Sequence, residues 1–181
     1  GIRANFHPPF DKVTYEIVIT PKMSFGTGHH ATTYLVMQLM RELNFPAKSV
    51  FDFGTGTGIL AILAEKLGAG KITAVDNDDW CIENASENIE INHCTHVEIE
   101  KADKFRGNIK FDIILANINR NILLDNMVDI SAAIASGGDI ILSGLLADDE
   151  KVIITACLQN GLQHVKTVER NGWIAIRLYM N

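Results

Sequence analysis

Short apolar runs alternate along the chain with longer stretches in which apolar side chains recur every three or four residues. The short runs predict buried strands, and the periodic stretches predict amphipathic helices. Strands and helices that alternate in this way are typical of a parallel sheet with crossover helices on both faces. The pattern therefore predicts a doubly wound α/β fold.

A short leading strand is predicted at residues 15–19, and the chain closes with two apolar runs around the hairpin-favouring dipeptide Asn171-Gly172. The strands between them are predicted at residues 49–53, 71–75, 97–99, 111–115 and 140–142. The helices are predicted at residues 30–43, 59–67, 121–135 and 148–158, with a further one capped by Asn77 or Asp78. We expect a mostly parallel sheet of about seven strands that ends in an antiparallel hairpin. Residues 1–20 would form a linker and the leading strand, and residues 21–181 one domain.

The composition is that of a globular protein, with 181 residues, 47% hydrophobic and 21% charged. No apolar run approaches the ~20 residues of a membrane span, and the first residues do not resemble a signal peptide. The net charge of −6 argues against direct binding of nucleic acid, which needs clustered Lys and Arg.

The three cysteines are far apart and form no CxxC pair; they are Cys81, Cys94 and Cys157. This spacing predicts neither a disulfide framework nor a zinc cluster. It suits a reducing compartment, so we expect a cytoplasmic protein.

A glycine-rich loop, DFGTGTG at residues 52–58, lies between a predicted strand and a predicted helix. Glycines permit positive φ and a close approach of ligand to backbone, and the free N–H groups of the helix face the same ligand. A phosphate-binding P-loop is excluded because Ile59-Leu60 follows instead of Lys-Ser or Lys-Thr. A dinucleotide fingerprint beginning at Gly56 is weakened, but stays open, because Ala61 replaces its third glycine.

Carboxylates near this loop indicate which ligand it binds. Asp52, two residues before the first glycine, would be unfavourable beside a pyrophosphate and favourable beside a cationic sulfonium and ammonium group, as in S-adenosylmethionine. Asp76 ends the next strand and can accept hydrogen bonds from both ribose hydroxyls, although a helix-capping role is the alternative. Asp103 follows the third strand of the sheet and could accept from the adenine amino group, or be a solvated loop carboxylate.

These features resemble the class I S-adenosylmethionine-dependent methyltransferases, whose fold is Rossmann-like. Three stretches are specific to one family within this class: FGTGHHATT at residues 25–33, Ala-Asn-Ile at residues 116–118 and LSGLL at residues 142–146. They resemble PrmA, the bacterial family that methylates the eleventh large-subunit ribosomal protein. The similarity runs from about Pro21 to the C-terminus, so the resemblance implies a protein N-methyltransferase that uses S-adenosylmethionine.

The glycine loop and the resemblance together imply a set of donor-binding residues: Phe25, Thr27, Thr33, Asp52, Gly54, Gly56, Asp76, Asp103 and Asn117. The loop from Phe25 to His30 would fold over the donor, with Thr27 near its amino-acid end. Asn117 is also the implied catalytic residue, because it would face the transferring methyl group and orient the incoming amine through its side-chain oxygen.

Two departures from the family matter. The chain continues after Asn117 as INRNIL, where much of the family has small residues and a proline, which bears on the amine pocket. Family members also carry a small N-terminal substrate-recognition domain, and nothing before Pro21 is long enough to be one. We expect an excised, monomeric catalytic domain whose partner is a ribosomal protein and which needs the absent domain for good recognition; a short relative with another substrate is the alternative.

Other constellations are weaker. His29-His30 has no carboxylate or cysteine at ligand spacing, so no metal site is expected. Ser143 lacks the GxSxG elbow of a serine hydrolase, and Trp80 and Trp173 are interpreted as packing residues. Three rival functions stay open: a methyltransferase of another protein, small molecule or RNA; a nicotinamide-dependent oxidoreductase; and a non-catalytic module that binds S-adenosylmethionine.

Overall fold

A computed structural model describes residues 1–22, 30–104 and 109–181 of the chain. The helices are α1 (Ala31–Met40), α2 (Ile59–Lys66), α3 (Asp79–Ile91), α4 (Arg120–Asp125), α5 (Met127–Ala133) and α6 (Glu150–Gln159). The strands are β1 (Ile2–Ala4), β2 (Ile17–Ile19), β3 (Ser49–Phe53), β4 (Lys71–Asp76), β5 (Val97–Lys101), β6 (Phe111–Asn117), β7 (Ile134–Leu146), β8 (Leu162–Arg170) and β9 (Trp173–Met180).

Seven strands form one sheet in the order β5-β4-β3-β6-β7-β9-β8. The strands from β5 to β7 pair in parallel, and β9 runs antiparallel to both of its neighbours, β7 and β8. The prediction of a doubly wound α/β sheet with an antiparallel C-terminal hairpin is confirmed. The predicted leading strand is β2, which pairs with β1 in a separate two-stranded parallel sheet.

The central strands are mostly apolar because helices cover both faces of the sheet. Successive side chains of a strand point to opposite faces, so Val50 joins one buried cluster and Phe51 the other. Helices α1 and α2 pack on the first face, and α5 and α6 contribute to the second. The order of the sheet reverses between β3 and β6, and such a switch point leaves a crevice at the carboxyl ends of the strands.

The prediction of one helix at residues 121–135 is wrong in two respects. The helical segment is divided into α4 and α5 at Asn126, whose φ of −107° and ψ of 8° leave the helical region. It ends at Ala133, and β7 begins six residues earlier than predicted, with a register shift opposite β6. Apolar spacing alone does not reveal such a break, because α4 and α5 both bury apolar side chains, among them Leu123 and Ile130.

Candidate functional site

A cavity of ≈ 760 Å³ opens at the carboxyl ends of the parallel strands, at the switch point of the sheet. Its wall includes residues that end or follow strands β3, β4, β5 and β6. The predicted site residues that line it are Thr33, Gly54, Gly56, Asp76, Asp103 and Asn117. Phe25 and Thr27 lie outside the described residues. The fold therefore brings most of the predicted site to one place.

The glycine-rich loop is held by backbone hydrogen bonds to the end of β4. The amides of Gly54 and Thr55 both donate to the Val75 carbonyl oxygen at 2.9 Å. Gly54 has a φ of +76°, and a Cβ there would lie 2.2 Å from Cγ2 of Ile118. This position therefore requires glycine both for its backbone conformation and for lack of space.

Asp76 fixes the same loop from the tip of β4. Its Oδ2 accepts from the Gly56 amide at 3.0 Å, and its Oδ1 accepts from the Asp78 amide at 3.1 Å. The cap of α3 is Asp78, whose side chain accepts from the Trp80 amide at 2.9 Å. Because each carboxylate oxygen has two lone pairs, Asp76 keeps acceptor capacity toward the cavity.

Asp52 lies beneath the loop and is not part of the cavity wall. Its Oδ2 accepts from the Thr55 hydroxyl at 2.7 Å, and the Ala61 amide, in the first turn of α2, also acts on the carboxylate. Burial raises the pKa of the Asp52 carboxyl to about 7, against the opposing effect of the Thr55 hydroxyl. Direct contact of Asp52 with a donor stays a prediction, whereas its bond to Thr55, which lines the cavity, is a feature of the structure.

We expect the substitution Asp52→Asn to remove a pH dependence of stability. The folded pKa of about 7 exceeds the ordinary value of 3.8, so the native state binds more protons than the unfolded state between these values. The free energy of unfolding contributed by Asp52 therefore falls as pH rises from about 4 to 7. The variant keeps an acceptor for Thr55 and has no charge to bury. Urea unfolding of both proteins at several pH values checks this, and a stability difference that stays constant with pH would contradict it.

Asn117 ends β6 opposite the start of α1. Its Nδ2 donates to Oγ1 of Thr33 at 3.4 Å, and both residues line the cavity. Its Oδ1 is shielded from solvent and has no partner in the described residues. An unsatisfied buried acceptor costs about 1–3 kcal/mol, so a ligand N–H group at this oxygen would be stabilised.

Two aromatic side chains of the cavity wall were not among the predicted site residues. The rings of His30 and Trp173 meet edge to face, with centroids 4.8 Å apart, and both residues line the cavity. Trp173, interpreted from sequence as a packing residue, is the first residue of β9. Because β9 is antiparallel, its first residue lies at the edge where the parallel strands end, and the hairpin signal at Asn171-Gly172 could have indicated this.

Ile118 lies between two glycines of the cavity wall. A Cβ on Gly54 would meet its side chain, and a Cβ on Gly144 would lie 2.3 Å from its carbonyl oxygen. The Ile118 amide donates to the Ser143 carbonyl at 3.1 Å. Ile118, the last residue of the Ala-Asn-Ile stretch that resembles the family, is therefore fitted closely by its neighbours.

We expect Gly144→Ala to lower the free energy of unfolding by about 1–3 kcal/mol more than Gly161→Ala, because only the first overpacks the interior. Gly144 and Gly161 have nearly the same φ, +82° and +80°, so the backbone strain is matched. A Cβ on Gly161 meets nothing within 4 Å. Urea unfolding of both variants measures the difference, and equal losses would refute the steric explanation.

Other chemistries find little support in the residues that the structure describes. Among them, no group of three or more His, Cys, Asp or Glu side chains is arranged to hold a metal ion. The Ser143 hydroxyl is buried and donates to the Ile174 carbonyl at 2.7 Å. It is therefore hydrogen-bonded inside the sheet and is not positioned as a nucleophile. None of the described helices has both the length and the apolar character that a membrane crossing needs.

Comparison with known proteins identifies the relatives of this chain. Residues 3–180 match the family model described as "Ribosomal protein L11 methyltransferase (PrmA)". The ribosomal protein L11 methyltransferase of Porphyromonas gingivalis is 43% identical over 178 residues, which are 97% of this chain and 61% of that protein. The protein of the same name from Phocaeicola vulgatus is 41% identical over 181 residues, covering 99% and 64% of the two chains.

A solved structure extends the likeness to three dimensions. The crystal structure of a ribosomal protein L11 methylase from Lactobacillus delbrueckii subsp. bulgaricus superposes with a TM-score of 0.91 at 31% identity. The match covers 99% of this chain and 94% of that one. By contrast, the chain spans only 61–64% of the length of the first two curated relatives.

Proposed function

The chain belongs to the PrmA family, the ribosomal protein L11 methyltransferases, and from this premise we propose that it transfers methyl groups from S-adenosylmethionine to amino groups of ribosomal protein L11. The observation that carries the proposal is the single cavity that joins the glycine-rich loop and Asp76 to Asn117. The first two suit an adenosine-bearing donor, and the Oδ1 of Asn117, which has no partner among the described residues, suits an amine.

On the donor side, the residues present fit S-adenosylmethionine. Asp76 has acceptor capacity for ribose hydroxyls, and the bare backbone at Gly54 and Gly56 allows a ligand to approach closely. Asp103 faces the same cavity as a candidate acceptor for the adenine amino group, and Thr33 stands beside Asn117. S-adenosylmethionine, when bound, supplies a methyl group activated by its bond to a positively charged sulfur.

On the acceptor side, the chain must orient an amine and favour its neutral form. Holding a lysine neutral at pH 7 costs about 4.6 kcal/mol, and holding an α-amino group neutral costs about 1.4 kcal/mol. Apolar surroundings lower this cost, because burial disfavours the charged amine. Asn117 Oδ1 would accept a hydrogen bond from the amine and direct its lone pair. Solvent would take the proton, because we assign no side chain of the cavity as a dedicated base.

Turnover at saturating donor should therefore rise with pH across the neutral range, by up to about tenfold per unit below the pKa of the amine. Donor affinity is measured over the same pH range. Titration of Asp52, which lies beneath the glycine-rich loop, would change this affinity, whereas titration of the amine would change turnover alone. In Asp52→Asn the rise should persist. A flat profile while methyl transfer is rate-limiting would contradict solvent deprotonation.

The proposal extends to partners and location. Asp125 and Asp129 are exposed at the cavity wall and form no ion pair within residues 1–22, 30–104 and 109–181, which favours a basic protein substrate. The net charge of −6 favours a protein over direct contact with nucleic acid. We place the protein in the cytoplasm as a monomer. Part of the recognition of L11 would reside in the portion of the relatives that this chain does not match.

A ligand-dependent melting experiment tests the donor assignment. A ligand that binds only the native state raises the melting temperature. We expect S-adenosylmethionine to raise it and NAD to leave it unchanged. A rise with NAD alone would favour the rival oxidoreductase, which the Ala61 variant of the dinucleotide fingerprint left open. Binding of S-adenosylmethionine without turnover on any acceptor would favour a non-catalytic module.

A further inference from the structure

Three asparagines at four-residue spacing lie along one side of α3: Asn84 and Asn88 are in the helix, and Asn92 is its C-cap residue. All three are buried, and each makes hydrogen bonds to the backbone around β2. Asn92 accepts from the Val18 amide at 2.9 Å and donates to the Val18 carbonyl at 2.7 Å. Asn88 accepts from the Thr20 amide at 2.8 Å, and Asn84 donates to the Thr20 carbonyl at 3.2 Å.

The spacing of these bonds follows from the geometry of the two elements. Four residues of a helix advance about 6 Å, and two residues of a strand advance about 6.6 Å. Asn88 and Asn92 therefore meet residues two positions apart in the extended segment, Thr20 and Val18, and Asn84 bonds to Thr20 as well. The carboxamides take the place of an edge strand and satisfy backbone groups that burial would otherwise leave unpaired.

Of Asn88 and Asn92, Asn88 is the one that contacts the glycine-rich loop. Its Nδ2 donates to the Thr57 carbonyl at 2.9 Å, inside the glycine-rich loop. One carboxamide thus joins the Thr20 amide to the Thr57 carbonyl, which are 37 positions apart in the sequence. Asn92, one turn further along, bonds to Val18 and to the Asn88 carbonyl and reaches no loop residue.

The loop also touches α3 directly. A Cβ on Gly58, whose φ is +79°, would lie 3.3 Å from the Cβ of Ala85. On its other side the loop is tied to β4, through the Val75 carbonyl and the Asp76 carboxylate. The bond from Asn88 to Thr57 is thus an anchor on the α3 side, opposite the anchors at β4.

We propose that Asn88 is a positioning residue of the donor site: its carboxamide fixes the glycine-rich loop at residues 54–58 against α3 and against the backbone at Thr20. As far as the donor is concerned, this inference rests on the proposed function. Asn92 holds β2 to the same helix without setting the position of the loop, so it provides a matched comparison.

The test compares Asn88→Leu with Asn92→Leu, which remove the same carboxamide from the same side of α3, once within the helix and once at its C-cap. Amide hydrogen exchange at Gly56 and Gly58 is measured without ligand, and the affinity for S-adenosylmethionine is measured by calorimetry. We expect exchange at least about tenfold faster and binding about tenfold weaker in Asn88→Leu, the size of effect expected for one lost hydrogen bond. In Asn92→Leu both quantities should stay within about twofold of the original chain.

Each outcome has a distinct meaning. Equal effects in the two variants, or unchanged loop exchange in Asn88→Leu, would overturn the positioning role. Faster loop exchange in Asn88→Leu alone, in a chain that does not bind S-adenosylmethionine, would uphold the positioning role and contradict the proposed function. If a leucine variant does not fold, the pair Asn88→Ala and Asn92→Ala is compared by the same two measurements.

Discussion

In the Asp76→Ala variant, the affinity for S-adenosylmethionine should fall about ten- to a hundredfold, which corresponds to about 1.4–2.8 kcal/mol. Two losses combine to give this effect. The ribose would lose a charged acceptor, and hydrogen bonds to charged groups contribute about 1.5–3 kcal/mol. The glycine-rich loop would also lose the anchor that Asp76 gives to the Gly56 amide at 3.0 Å.

Calorimetric titration of the donor measures this change, and Asp79→Ala is the control. Asp79 lies three residues further along, is exposed, and pairs with Lys101 at 2.7 Å. Removing it takes away a carboxylate near the site without touching the loop or the cavity wall. An affinity for S-adenosylmethionine that is the same in Asp76→Ala as in the original chain would refute the ribose assignment.

The Asn117→Ala variant should lose about a hundredfold or more in turnover, the scale of loss expected when a reacting group is misplaced by about 1 Å. Its donor affinity should fall much less. The Oδ1 of Asn117 has no partner in the described residues, so an amine N–H that reaches this shielded oxygen would be stabilised. Its Nδ2 contacts Thr33, so some effect on the donor side is also expected.

Single-turnover kinetics and calorimetry on the same variant separate the two effects. Asn121→Ala serves as the control, because Asn121 is exposed on α4 and its side chain accepts only from Arg120 Nε, at 3.3 Å, in the described residues. Turnover and donor affinity that fall by equal factors would make Asn117 a donor ligand only. Unchanged turnover would remove it from the catalytic machinery.

Much of the sheet could be predicted because most of its strands are short segments rich in apolar residues and bounded by turns. The separate pairing of β1 with β2 could not, since Ile2–Ala4 is only three residues long, too short for its pattern to indicate a strand, and all three residues are half-buried. The division between α4 and α5 depends on the backbone conformation of Asn126, which apolar spacing does not encode.

The cavity residues Gly54, Gly56 and Asp76 could be located from sequence because they directly follow or end predicted strands. The inward position of Asp52 was not predicted, although the alternation of side chains along a strand implies it. Phe51 and Phe53 face one buried cluster, so Asp52 shares the opposite face with Val50, beneath α2. The charge of Asp52 suggests a contact with the donor, whereas its place in the alternation of β3 puts its side chain in the interior.

The asparagines of α3 illustrate a contact that sequence reasoning does not reach. Polar residues at four-residue spacing on a helix usually indicate a solvated face. Asn88 and Asn92 are instead buried against β2 and the residue that follows it, and their bonded residues, Thr20 and Val18, lie 68 and 74 positions earlier in the chain. Only the folded arrangement shows that these side chains pair with backbone groups.

The most direct test of the central claim is transfer of labelled methyl from S-adenosylmethionine by this chain to purified ribosomal protein L11, with the other large-subunit ribosomal proteins as competing acceptors. We predict label on L11 that is strongly reduced in Asn117→Ala, although that variant still binds the donor. If the chain binds S-adenosylmethionine but leaves L11 unlabelled, or labels other proteins equally well, L11 is not its substrate and the proposed function is wrong.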